Sequence, residues 1–176
     1  MLHHERTAFS SRPRKRLYSA ALIIMLLLSI AFLNGCQADL TESCGIQISC
    51  ATILNNLKDL DPAKHALVPS NGIIFDSTEV AFAPGEDILK IMIRVMKQEK
   101  IHLDFSGRSG DPMSYIMGIN NIYGSDCGAM SGWMISVNGE FIMVGTGVYE
   151  VQPGDIIKLL YTCSGGPDIG YVWDGK

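Results

Sequence analysis

Charge is scarce in this chain: Asp, Glu, Lys and Arg make up 18% of 176 residues, against 47% apolar types. A disordered tail needs the opposite balance, so the composition excludes one and leaves room for a single domain with its own core. Basic clusters are missing from the main body. Residues 1 to 35 hold Arg6, Arg12, Arg14, Lys15 and Arg16, and from position 36 onward nine basic residues stand against 17 acidic ones, a balance of −8. A surface of that sign has nothing with which to release phosphate counterions, which excludes nucleic acid as a partner. Histidine is almost absent after the N-terminal segment, where only His65 and His102 remain, neither in a nucleophile or metal motif. No Cys-x-x-Cys pair preorganises zinc, no Asp-x-Asp-x-Asp-Gly loop gathers Asp104, Asp111, Asp126, Asp155 or Asp168 around calcium, and Gly107-Arg108-Ser109-Gly110 lacks the lysine of a phosphate loop. The expectation is a protein that is not an enzyme and has no metal site. A second long apolar run is also lacking, which excludes a polytopic membrane protein.

What the N-terminus does have is an address. Arg12 to Arg16 form a basic region, and Leu17 to Phe32 an apolar run broken only by Tyr18, Ser19 and Ser29. That run is long for a signal sequence and short of the ~20 residues a membrane-spanning helix needs. Leu33-Asn34-Gly35-Cys36 follows at once and resembles a bacterial lipobox. Residues 1–35 therefore read as a lipoprotein signal peptide and Cys36 as the lipidated residue. The polar stretch 36–43 then tethers a domain over 44–176 to the extracytoplasmic face of the membrane.

Four further cysteines remain, Cys44, Cys50, Cys127 and Cys163. An even number in an exported domain predicts two disulfides. If Gly45 to Ser49 is extended, Cys44 and Cys50 stand ~20 Å apart, beyond the ~7 Å limit between bridged Cα atoms, and both bond to Cys127 and Cys163. If that segment loops, Cys44 with Cys50 and Cys127 with Cys163 is the other pairing.

Along the domain, Ile46 and Ile48 alternate with polar residues and predict a strand over Gly45 to Ser49. Ile53, Leu54, Leu57 and Leu60 share a face of a helix predicted from about Cys50 to Leu60, with Ser49 as its cap. Asp61-Pro62 ends that helix or opens a further turn. Ile73 to Phe75 and Glu79 to Phe82 are short strand candidates. After Pro84-Gly85, Ile88, Ile91, Met92, Val95 and Met96 fall on one stripe and predict the main helix, with Glu86 and Asp87 at its start. Ile101 to Phe105 and Tyr115 to Ile119 are strand candidates. Asn138-Gly139 between two apolar runs predicts a hairpin with a two-residue turn. Its opposed pairs are Val137 with Glu140, Ser136 with Phe141, Ile135 with Ile142, Met134 with Met143 and Trp133 with Val144. Pro153-Gly154-Asp155 turns the chain into a final strand over Ile156 to Thr162.

That hairpin has two apolar faces and the chain one long amphipathic helix to cover them. Met113, Met117, Met130, Met134 and Met143 concentrate in the strand-rich stretch, and soft unbranched side chains adapt to irregular apolar partners. Core filling and a binding surface both account for them.

Ser131-Gly132-Trp133-Met134-Ile135-Ser136-Val137-Asn138-Gly139-Glu140-Phe141, Gly147, Tyr149 and Gly154-Asp155-Ile156-Ile157 leading to Tyr161-Thr162 resemble bacterial surface lipoproteins with a transcobalamin-like C-terminal domain, domain of unknown function 4430. Thr52-Ile53-Leu54, Leu67-Val68-Pro69, Gly85-Glu86 and Gly118-Ile119-Asn120-Asn121-Ile122-Tyr123 are similar to earlier segments of that family. The resemblance implies an α+β domain with a β-grasp-like mixed sheet and one main packed helix. It also implies a module for cobalamin or a related corrinoid, held by Trp133, Tyr149, Met134, Phe141 and Met143 and handed to a membrane transporter. The residues leave open a second class, a cell-surface interaction or adhesion module for protein or glycan.

Overall fold

The computed structural model describes Met25 and residues 39–173. The basic region, nearly all of the apolar run and Cys36 lie outside the described residues. By internal contacts the chain divides into Met1–Ala38 and Asp39–Lys176, and the second unit carries the fold.

Alternation of Cys44, Ile46 and Ile48 with smaller or polar residues gives β1, Glu42–Ser49, whose three apolar side chains are buried. β2, Ile73–Phe82, pairs antiparallel with it and is one strand where the sequence predicts two. The interruption read in the sequence is a register shift between Ile46 and Ile48, opposite residues 75–78. A bulge of this kind bends a strand without ending it.

The helix predicted from Cys50 to Leu60 does not form. Short 3₁₀ turns take its place, Ala51–Asn55 and Leu57–Asp59, and a third, Pro62–Leu67, is opened by Asp61, whose carboxylate accepts the Ala63 N–H. Thr52 and Asn56 are weak helix formers whose side chains bond to the backbone instead. Thr52 Oγ1 donates to the Tyr161 carbonyl at 2.5 Å, and Asn56 Nδ2 donates back to the Thr52 carbonyl at 2.8 Å. Of the predicted face only Ile53 and Leu60 are buried, while Leu57 is exposed.

The main helix, α1, Ile88–Glu99, forms as its stripe predicts. Asp87 is its N-cap, accepting the Lys90 N–H at 2.9 Å, and Lys100 ends it in the left-handed conformation. Ile88, Ile91, Met92, Val95 and Met96 are buried, as is Leu89. Strands β3 (Leu103–Ser106), β4 (Tyr115–Ile119) and β5 (Ile122–Tyr123) make a small antiparallel sheet. β6 (Gly132–Val137), β7 (Glu140–Phe141) and β8 (Ile156–Thr162) complete the larger one, in the order β2-β1-β8-β6-β7. β1 and β8 run parallel and the other pairs are antiparallel, so the sheet is mixed and the fold is α+β.

One face of this sheet packs on α1 through Ile46, Ile48, Ile157 and Leu159, all essentially inaccessible. A second core of Cys50, Ile53, Leu60, Ile122, Cys127 and Tyr161 lies toward the 3₁₀ turns. Trp133 packs against both cores.

The two-disulfide framework is not what the structure holds: all four cysteines are free. Because β1 is extended, Cys44 and Cys50 are too far apart to bond to each other. Cys44 sits in the main core, whereas Cys50 shares the second core with Cys127 and Cys163. Cys127 and Cys163 meet at 3.2 Å between sulfurs, longer than the ~2.05 Å of a bond.

Candidate functional site

The hairpin of β6 and β7 organises the candidate surface. Asn138 and Gly139 both have positive φ, as the two-residue turn requires. Asn138 is pinned from outside the hairpin as well, since its Oδ1 accepts the Ile156 N–H at 2.9 Å and its Nδ2 donates to Asp155 Oδ1 at 2.8 Å. Ser136 opposes Phe141 and Val137 opposes Glu140, the predicted register. The Ile142 N–H still donates to the Ile135 carbonyl at 3.0 Å, and there the ladder stops.

Beyond Ile142 the predicted pairs Met134 with Met143 and Trp133 with Val144 are not made, for a backbone reason. The Thr146 N–H donates to the Ser114 carbonyl and the Gly110 N–H to the Gly147 carbonyl, so this segment is paired with the loop after β3 instead. Gly145 and Gly147 allow the approach: a Cβ on either would lie 2.3 Å from a backbone oxygen, of Pro112 and Arg108 respectively.

Where the chain leaves β6, an apolar hollow of about 230 Å³ opens between β4 and the hairpin. Tyr115, Trp133, Met134, Ile135, Ile142 and Val144 are among the residues that line it, and Ser114 and Thr146 add polar atoms. A second, more polar and more open hollow of about 600 Å³ lies around Phe141, Tyr171 and Trp173. Met143 lines both and is 77% exposed.

Of the five side chains read as ligand-binding, Trp133, Met134 and Met143 line the first hollow, Phe141 and Met143 the second, and Tyr149 neither. Trp133 and Tyr149 pack toward the main core. Met134 and Phe141 belong to the opposite face by the strand alternation, and Phe141 meets Tyr171 edge to face with 5.4 Å between ring centroids. Trp133 is also committed structurally: its Nε1–H donates to the Ile122 carbonyl at 2.8 Å, and its ring is T-shaped against Tyr161 at 5.1 Å. Only part of its surface faces the first hollow. Tyr149 does not line it, and burial, reinforced by Asp155, raises the Tyr149 pKa. Tyr115, on the rim and 56% exposed, and Trp173, 73% exposed, are the aromatics that sequence reasoning missed as site residues. Neither belongs to a motif, so the sequence carries no signal for them.

Among the described residues no group of three or more His, Cys, Asp or Glu could hold a metal ion. His65 Nε2 lies 3.0 Å from the Leu57 carbonyl and 3.2 Å from that of Leu60, an engagement with turn backbone. Asp155 accepts from the Gln152 N–H as well as from Asn138, and Asp126 accepts the Tyr123 N–H and the Lys64 ammonium. These carboxylates hold turns together.

Residues 85–162 match the family model of a domain of unknown function, DUF4430. The domain part of the sequence resemblance is thereby met. The DUF4430 stretch runs from α1 through β8 and includes Tyr115, Trp133 and Met143, hence the whole first hollow. β1, β2 and the Tyr171–Trp173 segment of the second hollow lie outside it. Among solved structures, haptocorrin in complex with Cbi has a TM-score of 0.48 at 17% identity, over 73% of this chain. This chain spans 27% of that protein's length. A protein from Ruminococcus gnavus ATCC 29149 described as a metal-binding candidate has a TM-score of 0.38 at 14% identity, over 69% of this chain and 96% of its own. No curated protein matches the chain.

Proposed function

We propose that the chain is a lipid-anchored extracytoplasmic binding module that holds cobalamin or a related corrinoid on its surface and passes it to a membrane transporter. The observation that carries the binding reading is the apolar hollow at the hairpin, left open where Gly145 and Gly147 draw the chain away from β6. Its volume is below the roughly 300 Å³ at which ligand-enclosing pockets begin, so the ligand would rest against it as on a platform. Tyr115 and Trp133 offer rigid aromatic surface there, and Met143 adapts to uneven substituents. The ligand class comes from the resemblance of Gly132 to Phe141 and of Gly154 to Thr162 to the transcobalamin C-terminal domain. Anchoring rests on Arg12 to Arg16, the apolar run and Leu33-Asn34-Gly35-Cys36. The module binds and releases its ligand unchanged, a reading supported by His65 and the turn carboxylates being engaged in the fold.

Titrating the chain with cobalamin by calorimetry, with Trp133 and Trp173 fluorescence as a second readout, tests the reading. A one-sided platform predicts a saturable Kd of micromolar or weaker, roughly −8 kcal/mol at best. Met143→Asp, at an exposed position, should weaken binding at least tenfold. Ile156→Asp, exposed on the other face of the sheet, should leave it unchanged. No saturable signal up to millimolar ligand would discard the corrinoid and leave a protein or glycan as the partner.

A further inference from the structure

Three of the four domain cysteines share the second core, and they differ in access. Cys50 and Cys127 are buried, while Cys163, just past the end of β8, is partly exposed. The Cys163 thiol donates toward Cys127 Sγ at 3.2 Å, across 36 residues of chain. A bond needs the sulfurs to close by only about 1 Å. Both residues are held in place by their backbones. The Cys127 N–H donates to Ser131 Oγ at 3.0 Å, and Ser131 Oγ meets the Tyr161 hydroxyl at 2.9 Å. The Cys163 N–H donates to Asp168 Oδ2 at 2.7 Å, and Thr162 Oγ1 bonds the same carboxylate.

We propose that Cys127 and Cys163 form a dithiol site that disulfide-bearing oxidants convert to a single disulfide, with Cys50 and Cys44 remaining thiols. Cys163 is the entry point because it is the more exposed residue of the two. Its thiolate attacks one sulfur of the oxidant, forming a mixed disulfide and releasing one thiolate. The Cys127 sulfur then attacks Cys163 and expels the second thiolate, so the two cysteines lose two electrons and two protons and the oxidant becomes two thiols. Burial first, then the Cys163 neighbour and the charges of Asp59 and Asp168, push the Cys127 thiol up to about 12. That keeps it from reacting before Cys163 has brought the leaving thiol to it. The closed bond would tie the loop before β6 to the end of β8.

The test uses the full chain, incubated folded with oxidised glutathione, quenched in acid, unfolded, alkylated without reductant and mapped by peptide mass. The expected result is a Cys127–Cys163 crosslink in most molecules, with Cys44 and Cys50 alkylated. Cys127→Ser should arrest the reaction as a stable glutathione adduct on Cys163, and dithiothreitol should reopen the bond. Free, alkylated Cys127 and Cys163 in the treated native chain would overturn the proposal. So would a crosslink that joins Cys50 to either of them. The wild-type map decides the matter even if the variant does not fold.

Discussion

Glu86 gathers a backbone N–H and two cations around one buried carboxylate. It is 3% exposed, yet charged, just before α1. Burial alone would favour the neutral acid. The Ala83 N–H at 3.1 Å, the Arg94 guanidinium at 2.9 Å and the more distant Lys90 ammonium outweigh it and hold the carboxyl below its ordinary 4.5. A carboxylate whose folded pKa is depressed contributes stability that is complete above the unfolded value and is lost as pH falls through the folded one. Glu86→Gln keeps the shape but leaves Arg94, only a quarter exposed, without its counter-charge. Removing one partner of such a pair should cost about 3 kcal/mol at pH 7. Urea denaturation of both proteins should show that gap narrowing as the pH drops below 4.5, because protonated Glu86 and Gln carry the same charge. A gap independent of pH would mean that the ion pair contributes nothing and only the Ala83 bond matters.

The hairpin and its exit show that two glycines can be required for different reasons. Gly139 has φ of 89° with nothing near a would-be Cβ, so Gly139→Ala strains only the backbone and should cost about 1 kcal/mol. Gly145 has ordinary φ, but a Cβ there would press on the Pro112 carbonyl carbon and oxygen, at 2.6 and 2.3 Å, so Gly145→Ala must displace a loop. Its cost should exceed that of Gly139→Ala by 2 kcal/mol or more by overpacking, with the 143–147 segment losing hydrogen-exchange protection. Equal thermal midpoints for the two variants would contradict this account. The same elements mark what the sequence discloses. The α1 stripe and the Asn138-Gly139 turn are local patterns and were legible, down to the Ser136–Phe141 register. The release of Met143 and Val144 from β6 was not, because it depends on glycines meeting a loop more than 30 positions earlier. The candidate site was legible in part. Trp133, Met134 and Met143 were named from the hairpin pattern and line the first hollow, while Tyr115 joins it through tertiary packing alone.

At the scale of the molecule, β8 is the strand both cores share: Ile157 and Leu159 belong to the main one, Tyr161 to the second. Tyr161 further locks the second core through its hydroxyl, which donates to the Tyr123 carbonyl at 2.7 Å, and burial first of all pushes its pKa up to about 12, so it stays protonated. A domain joined this way should unfold in one step. Leu159→Ala, at a fully inaccessible position, should cost 3 to 5 kcal/mol by the usual cavity effect. Its tryptophan fluorescence and far-ultraviolet dichroism curves should shift together, and a second transition in either would show that the cores are independent. The parallel pairing of β1 with β8 has a further consequence in time. Thr52 and Tyr161, which meet beside it, are 109 residues apart. A growing chain therefore carries β1 and β6 as two waiting edges until Ile156–Thr162 leaves the ribosome, since the central strand is the last one made. Contacts of such long range close slowly, so the newborn polypeptide depends on protection from its neighbours for as long as that gap in the sheet is open.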